Sequence, residues 1–425
     1  MVKEINTNFN LSLFIKHRKI FLWMFYFLYR SHRNTIEMYL LRIKITYAVL
    51  LCCFLFSCSK GTQNSGTVVS NFIDTTAKPN TVSTLDTISV MAYNVLYYGD
   101  YCQGTPSSLD NYFKTIIGFA KPDLLSCEKV YTFLATPGSN GNLADEIVNN
   151  VLNTSLPDQY AYATPSNKTG AKNMELLFYN KRKFTYVKTE TIVANVTDFN
   201  MYQLYYNDTN LAITHDTTFL YVLVNHTQSG SPSTIRDQQV TLEMTTLRYK
   251  FLSFPNLINM GDFNTSASVE IGYQSVINPA DSSTMMYDPP YYPDKLLQYP
   301  GYWDASPQTV ASFLTTSTRS SASIPNTCGT DGGAKGWYDH IFISPWLVKG
   351  TNNITYIPGS YKTFGNDGNR IGVDINANFP VTNMSVPAPV LDALWQFSNK
   401  YPVMLKLLVK ANRNGVSPVD PIERN

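Results

Sequence analysis

The chain has 425 residues, 33 basic and 31 acidic, for a formal net charge of +2, so it lacks the polybasic surface of a nonspecific nucleic-acid binder. Charged residues are only 15% and aromatics reach 13%, with 29 Tyr, which excludes a disordered chain and a coiled coil. A core-forming, strand-rich globular protein with an uncharged polar surface remains, long enough for two to three domains at about 150 residues each.

The first informative segment, Met38 to Lys60, carries Arg42 and Lys44, then an apolar stretch from Ile45 to Phe56, then Ser57-Cys58. A positive flank, a short apolar run and a small residue read as an export signal over 38–57 rather than a membrane span. Leu55-Phe56-Ser57-Cys58 followed by a polar tract resembles a bacterial lipoprotein box. That resemblance implies that Cys58 becomes the acylated first residue and anchors the chain by lipid in the cell envelope, at the outer membrane or in the periplasm. An ordinary cleaved signal or an uncleaved anchor is the alternative. Residues 58–85, rich in Ser, Thr, Asn and Gly, read as a flexible tether. Residues 1–37 hold another apolar run, Ile20 to Tyr29, too short to cross a bilayer, and read as a mispredicted or disordered extension.

From residue 86 onward strand-like and helix-like runs alternate. Thr87 to Asn94 is β-rich and ends on a polar residue. Asn111 to Ala120 has helical spacing, and Pro122-Asp123 stops it before the apolar strand Leu124 to Cys127. Leu143 to Leu152 predicts a helix, and strands Met174 to Tyr179 and Phe184 to Thr189 flank the turn Asn180-Lys181-Arg182-Lys183. A further pair, Met201 to Tyr206 and Phe219 to Asn225, leads to a long amphipathic helix over Ile235 to Phe251, with Ile235, Val240, Leu242, Met244 and Leu247 as its apolar positions. Leu257 to Met260 reads as a buried strand. After the Tyr/Pro-rich stretch Tyr287 to Trp303 come strands Trp337 to Ser344 and Pro402 to Val409. Repeated β-α-β passes with hairpins between them predict one α/β domain over 86–410, a layered sandwich of mixed β-sheets, followed by a tail over 411–425.

Of the six cysteines, Cys52 and Cys53 would leave with the signal and Cys58 would carry lipid, so Cys102, Cys127 and Cys328 remain. One disulfide between Cys102 and Cys328 and three unpaired thiols are both open, and no metal-ligand spacing of cysteines is present.

Asn94, Glu128, Asp262 with Asn264, and Asp339 stand at the ends of predicted strands, and His226 closes another. Side chains at one edge of a sheet converge, and carboxylate and amide oxygens are hard ligands that suit Mg²⁺, Mn²⁺ or Ca²⁺ rather than zinc. These residues lie in blocks: Ser89-Val-Met-Ala-Tyr-Asn94, Lys121-Pro-Asp-Leu-Leu-Ser-Cys-Glu128, Val224-Asn-His226, Gly261-Asp-Phe-Asn264 and Tyr338-Asp-His-Ile-Phe-Ile-Ser344. In that order they resemble the endonuclease/exonuclease/phosphatase superfamily of DNase I-like nucleases, sphingomyelinases and inositol-phosphate phosphatases. The resemblance covers about residues 86 to 410. It implies a four-layered α/β sandwich, two mixed β-sheets flanked by helices, acting as a metal-dependent phosphodiesterase or phosphatase on a phosphate ester, as a monomer. Glu128 would bind the divalent ion with support from Asn94. Asp262 would deprotonate the attacking water, Asn264 and His226 would contact the phosphate, and Asp339 would pair with a histidine on the last strand.

That histidine is missing. The family's Ser-Asp-His-x-Pro-Val is matched by Ser398-Asn399-Lys400-Tyr401-Pro402-Val403, with Asn for Asp and Lys for His. Lysine keeps a cation but, with an ordinary pKa of about 10.4, is a poor proton shuttle at neutral pH. The site is therefore expected to be weakened or silent, and a noncatalytic binding module of the same fold is the alternative. Making Asp339-His340 the terminal pair is rejected, because neighbouring side chains on a strand point to opposite faces. Arg236 is expected to pack helix against sheet or form a structural salt bridge rather than bind phosphate, and Asp339 to form either a structural ion pair with Lys400 or a catalytic contact. The cluster Tyr287 to Trp303 is expected to be a packed loop, with a sugar-binding platform as the weaker reading.

Overall fold

The computed structural model of the protein describes residues 84–100, 104–131, 142–154, 157–291, 301–321 and 328–411. The extension expected over 1–37, the export signal, Cys58, residues 58–83 of the tether expected over 58–85, Cys102 and all but the first residue of the tail expected over 411–425 lie outside them. Cys328 is disulfide-bonded and Cys127 is a buried free thiol. Among the described residues no helix is long and apolar enough to cross a membrane.

The elements begin with β1 (Thr84–Tyr98), α1 (Pro106–Ala120), β2 (Leu124–Tyr131) and α2 (Leu143–Glu146), which runs on into a π-helical turn. Then come β3 (Tyr160–Tyr162), β4 (Asn173–Asn180), β5 (Phe184–Ala194), β6 (Asp198–Tyr206), α3 (Leu211–Thr214) and β7 (Phe219–His226). The chain continues through α4 (Thr234–Lys250), β8 (Leu257–Asp262), α5 (Ile271–Ile277), β9 (Asp339–Ile343) and α6 (Pro345–Lys349). It closes with β10 (Ile354–Tyr356), β11 (Lys362–Thr363), α7 (Ala388–Phe397) and β12 (Val403–Ala411). The sandwich thus begins inside the stretch expected to be tether.

One sheet has the order β10-β12-β1-β2-β4-β3, with β11 also on β12; the other is β5-β6-β7-β8-β9. Each contains one parallel pair, β1 with β2 and β7 with β8, among antiparallel neighbours. Parallel neighbours need a crossover, and α1 and α4 supply it.

Side-chain alternation then builds four layers. Ile88, Val90 and Ala92 of β1 pack with Val222, Val224, Ile258, Met260, Ile341 and Ile343 of the facing sheet. Their odd-numbered neighbours Met91 and Tyr93 pack outward with Leu109, Phe113 and Ile116 of α1 and with Leu394 and Phe397 of α7. On the far side, Tyr221 and Leu223 pack with Val240, Met244 and Leu247 of α4. Helix, sheet, sheet, helix is the four-layered α/β sandwich expected from the sequence.

The helices depart from expectation in detail. α1 starts at Pro106 rather than Asn111, with a proline in its first turn, where a missing N–H costs nothing. In α4 the expected apolar positions Ile235 and Leu242 are 46% and 48% exposed. The buried face instead includes Arg236, Gln239 and Glu243, each with a polar partner. Glu243 accepts from Asn225 Nδ2 at 3.2 Å and also from Asn259, and burial pushes its carboxyl up to about 8. A hydrophobic count misses such a face because polar side chains can be buried when their hydrogen bonds are met. The strand expected over Trp337 to Ser344 is shorter, Asp339–Ile343.

Candidate active site

The strand alternation that fills the inter-sheet core also places the site. Asn94 follows Val90 and Ala92 on β1, Glu128 follows Leu124 on β2, His226 follows Val222 and Val224 on β7, and Asp262 follows Ile258 and Met260 on β8. Asp339 precedes Ile341 and Ile343 on the antiparallel strand β9. Asn94 is in register with Glu128, His226 with Asp262, and Asp262 with Asp339. Each side chain occupies the next inward position beyond the apolar core, except that Ser126 comes between Leu124 and Glu128, so the five meet at one edge of the space between the sheets.

The contacts confirm the convergence. Asp262 Oδ2 accepts from Asn94 Nδ2 at 2.8 Å and from Lys400 Nζ at 2.8 Å, while its Oδ1 accepts from the Asn264 N–H at 3.0 Å. Lys400 Nζ also lies 3.4 Å from Asp339 Oδ2 and 5.0 Å from the centre of the Tyr338 ring. Lys400 is placed by Ser398, whose hydroxyl donates to the Asn94 carbonyl at 2.8 Å and accepts the Lys400 N–H at 3.1 Å. Asp339 therefore forms the ion pair with Lys400, one of its two expected roles, and Asp262 shares it.

Electrostatics follow from these neighbours. Burial alone would raise the Asp262 carboxyl, but Lys400, His226 and Lys129 hold it well below the usual carboxylate range. Burial and the Asp262 charge push Asp339 up, against the pull of Lys400. Lys400 would be lowered by burial, yet the two carboxylates hold its ammonium above its ordinary value. Burial and the nearby Lys129 press the His226 imidazole down to about 3, so it is neutral at physiological pH. Burial raises Glu128 to about 8, with Asp339 and Asp262 adding to the rise against a 2.6 Å hydrogen bond from Ser126.

Asn399 does not join the cluster. Its Nδ2 donates to the Thr330 carbonyl and hydroxyl, each at 3.0 Å, on the loop after Cys328. His340 likewise points away from Asp339: its Nδ1 lies 3.2 Å from Asp288 Oδ2 and its Nε2 3.1 Å from the Trp337 carbonyl. Arg236 makes a two-pronged ion pair with Glu270, with Nε 2.8 Å from Oε2, as a structural salt bridge should. Trp303 is buried and donates from Nε1 to the Thr265 carbonyl at 2.8 Å, so this end of the aromatic cluster is packed loop.

Three participants were not read from the sequence. Glu175 on β4 is buried with Oε1 3.7 Å from His226 Nδ1, and burial raises its carboxyl well above the ordinary value. Lys129 follows Glu128 directly. Ser126 hydrogen-bonds Glu128. A charged residue inside the apolar run Met174-Glu175-Leu176-Leu177 is the one signal that the pattern offered.

A divalent ion can be tested against these groups. Glu128 Oε2 is buried without a hydrogen-bond partner, and its raised carboxyl is what a cation would relieve. Asn94 spends Nδ2 on Asp262, and its Oδ1 accepts from the Leu96 N–H at 2.9 Å, leaving one lone pair. Among the described residues no group of three or more His, Cys, Asp or Glu side chains is arranged to hold a metal. The residues fit an ion of the Mg²⁺ or Mn²⁺ kind, which keeps waters and takes few carboxylates along with substrate phosphate; Ca²⁺, which prefers a larger shell of protein oxygens, fits less well.

The fold and this edge define an α/β sandwich with a buried acidic cluster paired to Lys400. No family model matches the chain, and no curated protein matches it. Solved structures are similar: TDP2 of D. rerio complexed with single-strand DNA product is 12% identical, covering 76% of this chain and 98% of that one, with TM-score 0.43. The human Nocturnin catalytic domain with bound sulfate is 13% identical over 76% and 97%, TM-score 0.42. An endonuclease/exonuclease/phosphatase family protein from Bacteroides thetaiotaomicron is 13% identical over 77% and 99%, TM-score 0.43. At these identities the likeness is one of fold alone.

Proposed function

We propose that the protein is a metal-dependent phosphoric ester hydrolase whose turnover is limited by Lys400. The observation that carries this is the meeting of Asn94, Glu128, His226, Asp262 and Asp339 at one sandwich edge, with Glu128 Oε2 and His226 Nε2 buried and unpartnered. Glu128, with Asn94 beside it, would hold Mg²⁺ or Mn²⁺, which when bound polarises a phosphoryl oxygen and offsets charge on the leaving oxygen. Neutral His226 donates a hydrogen bond to a phosphate oxygen. Asn264, held by its Nδ2 bond to the Thr227 carbonyl at 2.9 Å, presents its amide beside Asp262. Asp262 orients the attacking water, but a carboxylate held so far down is a weak base, since a proton acceptor works best near the operating pH.

The test is hydrolysis of bis-(p-nitrophenyl) phosphate with Mg²⁺ or Mn²⁺ against a Glu128→Gln variant. Metal-dependent turnover should fall about a hundredfold in that variant; turnover that survives the change would end the reading. A second reading, a noncatalytic phosphate-binding module, is favoured by the ion pair that ties Lys400 to the carboxylate expected to act as base. Absence of turnover together with retained phosphate binding would select it.

The envelope anchor belongs to the same proposal and is supported by the sequence up to Cys58. Cells fed an alkyne-tagged palmitate should label the protein, and Cys58→Ala should abolish the label; equal labelling of both would rule the anchor out.

A further inference from the structure

The regular alternation of β2 breaks at one place. Leu125 and Cys127 face the helices and Glu128 faces the site, so a regular strand would send Lys129 back toward the helices and Val130 toward the facing sheet. Val130 instead packs with Leu125 and Cys127, and the register shifts on both sides of β2 between Cys127 and Val130 and between Asn94 and Tyr98. Lys129 sits in the left-handed region at φ 61°, as do Leu96 and Tyr97 on the adjoining strand at 47° and 61°. This is a paired bulge, a device that re-aims a side chain at the end of a ladder. Its result is that Glu128 and Lys129, consecutive residues, serve the same edge.

Lys129 Nζ rests 4.8 Å above the centre of the Tyr97 ring. Among the described residues it has no ion-pair or hydrogen-bond partner; burial and the Lys400 charge lower its ammonium, against the through-space pull of Asp262, Asp339 and Glu175. Lys400 differs, because both its neighbours are carboxylates in contact. The Lys129 charge also acts on His226 through space, and the His226 Nε2 is buried and unpartnered. A largely buried ammonium on an aromatic seat, on the same edge as an idle imidazole nitrogen, offers a two-point donor set for one oxyanion.

We infer that Lys129, turned inward by the bulge and seated on Tyr97, is the substrate-anchoring cation of this site and grips a nonbridging phosphate oxygen together with His226 Nε2. The inference deepens the hydrolase reading and rests on it for the word substrate, but phosphate binding can be measured without turnover. Lys400 is already neutralised by Asp262 and Asp339, so Lys129 supplies the free positive charge. The ligand class is a phosphoryl group with at least one nonbridging oxyanion, whatever it esterifies.

The experiment titrates inorganic phosphate calorimetrically into the parent protein, Lys129→Met and Lys129→Arg, and measures KM and kcat for bis-(p-nitrophenyl) phosphate on the same preparations. Lys129→Met should weaken phosphate binding and raise KM by about tenfold to a hundredfold, the worth of one charge-assisted hydrogen bond. Its kcat should stay within about threefold, and Lys129→Arg should keep most of the affinity. Lys129→Gln takes the place of the methionine variant if that one melts below the parent. Unchanged phosphate affinity in Lys129→Met, or a parent that binds no phosphate, overturns the inference. A parent that binds phosphate through Lys129 but turns nothing over ends the hydrolase reading and leaves this one standing. A parent that turns over while Lys129→Met binds phosphate as before ends this one alone.

Discussion

Lys400→Met should lower folding stability by roughly 3–5 kcal/mol near pH 8, and by much less near pH 5. Lys400 is buried and its ammonium is 2.8 Å from Asp262 and 3.4 Å from Asp339. Methionine fills similar space, so the loss comes from charge rather than from a cavity. In the native protein the Asp262 carboxyl is depressed, which contributes stability present above the unfolded carboxylate value and lost as pH falls through the folded one. Without Lys400, burial dominates at Asp262 as well, and Asp339, already raised, goes higher still. The folded state then binds more protons than the unfolded one, and stability falls as pH rises. The gap between parent and variant should therefore open above about pH 4 and widen toward neutrality. Urea unfolding at the two pH values measures it. Equal losses at both would mean that Lys400 acts by packing. Adding Asp262→Asn to Lys400→Met should restore part of the stability near pH 8, because it removes one of the two stranded charges.

Legibility of the sequence followed from how local each signal was. β-rich runs that end in a polar residue report both a strand and a candidate site residue, because the residue two beyond an inward apolar position shares its face; Asn94, Glu128, His226 and Asp262 all stand at such strand ends. α7 was not read, although its buried positions Val390, Leu391, Leu394 and Phe397 form a helical stripe. Prolines at 387 and 389 mask it, yet proline is tolerated at a helix start. That helix matters, since its last turn leads into Ser398 and fixes where Lys400 goes; Phe397 stacks on Phe113 of α1 with ring centres 4.5 Å apart. Glu175 and Lys129 were missed for another reason. Glu175 reaches the site across the sheet from β4, and Lys129 reaches it only because of a bulge. Neither pairing nor bulge is written in the spacing of one strand.

The replaced pair Asn399-Lys400 divides once the side chains are placed. Asn399 serves the loop at Thr330, where an aspartate would set an anion against a carbonyl oxygen and give up two donated bonds. Restoring that position should add nothing to catalysis and cost some stability. Of the two, only Lys400 touches Asp262, the proposed base, and Asp339, so the informative change is Lys400→His by itself.

Lys400→His should raise kcat by about a hundredfold or more, within the range that a positioned acid-base group contributes. The ammonium of Lys400 is held above its ordinary value by two carboxylates, so it neither accepts nor releases a proton near neutrality. It also ties up Asp262 Oδ2, which a water-activating carboxylate would need. An imidazole starts near 6.5 and would be raised by the same two carboxylates, which keeps its titration within reach of physiological pH. Two changes are then expected together: a faster rate, and a bend in kcat between about pH 6 and 8 beyond any that Glu128 and Asp339 give the parent. If the parent already turns over as fast as the histidine variant, Lys400 is not what limits the site, and the ammonium has a productive role beside the phosphate. If the variant gains the bend without the rate, proton transfer is not the slow step, and the weakness lies in how Asp262 holds its water.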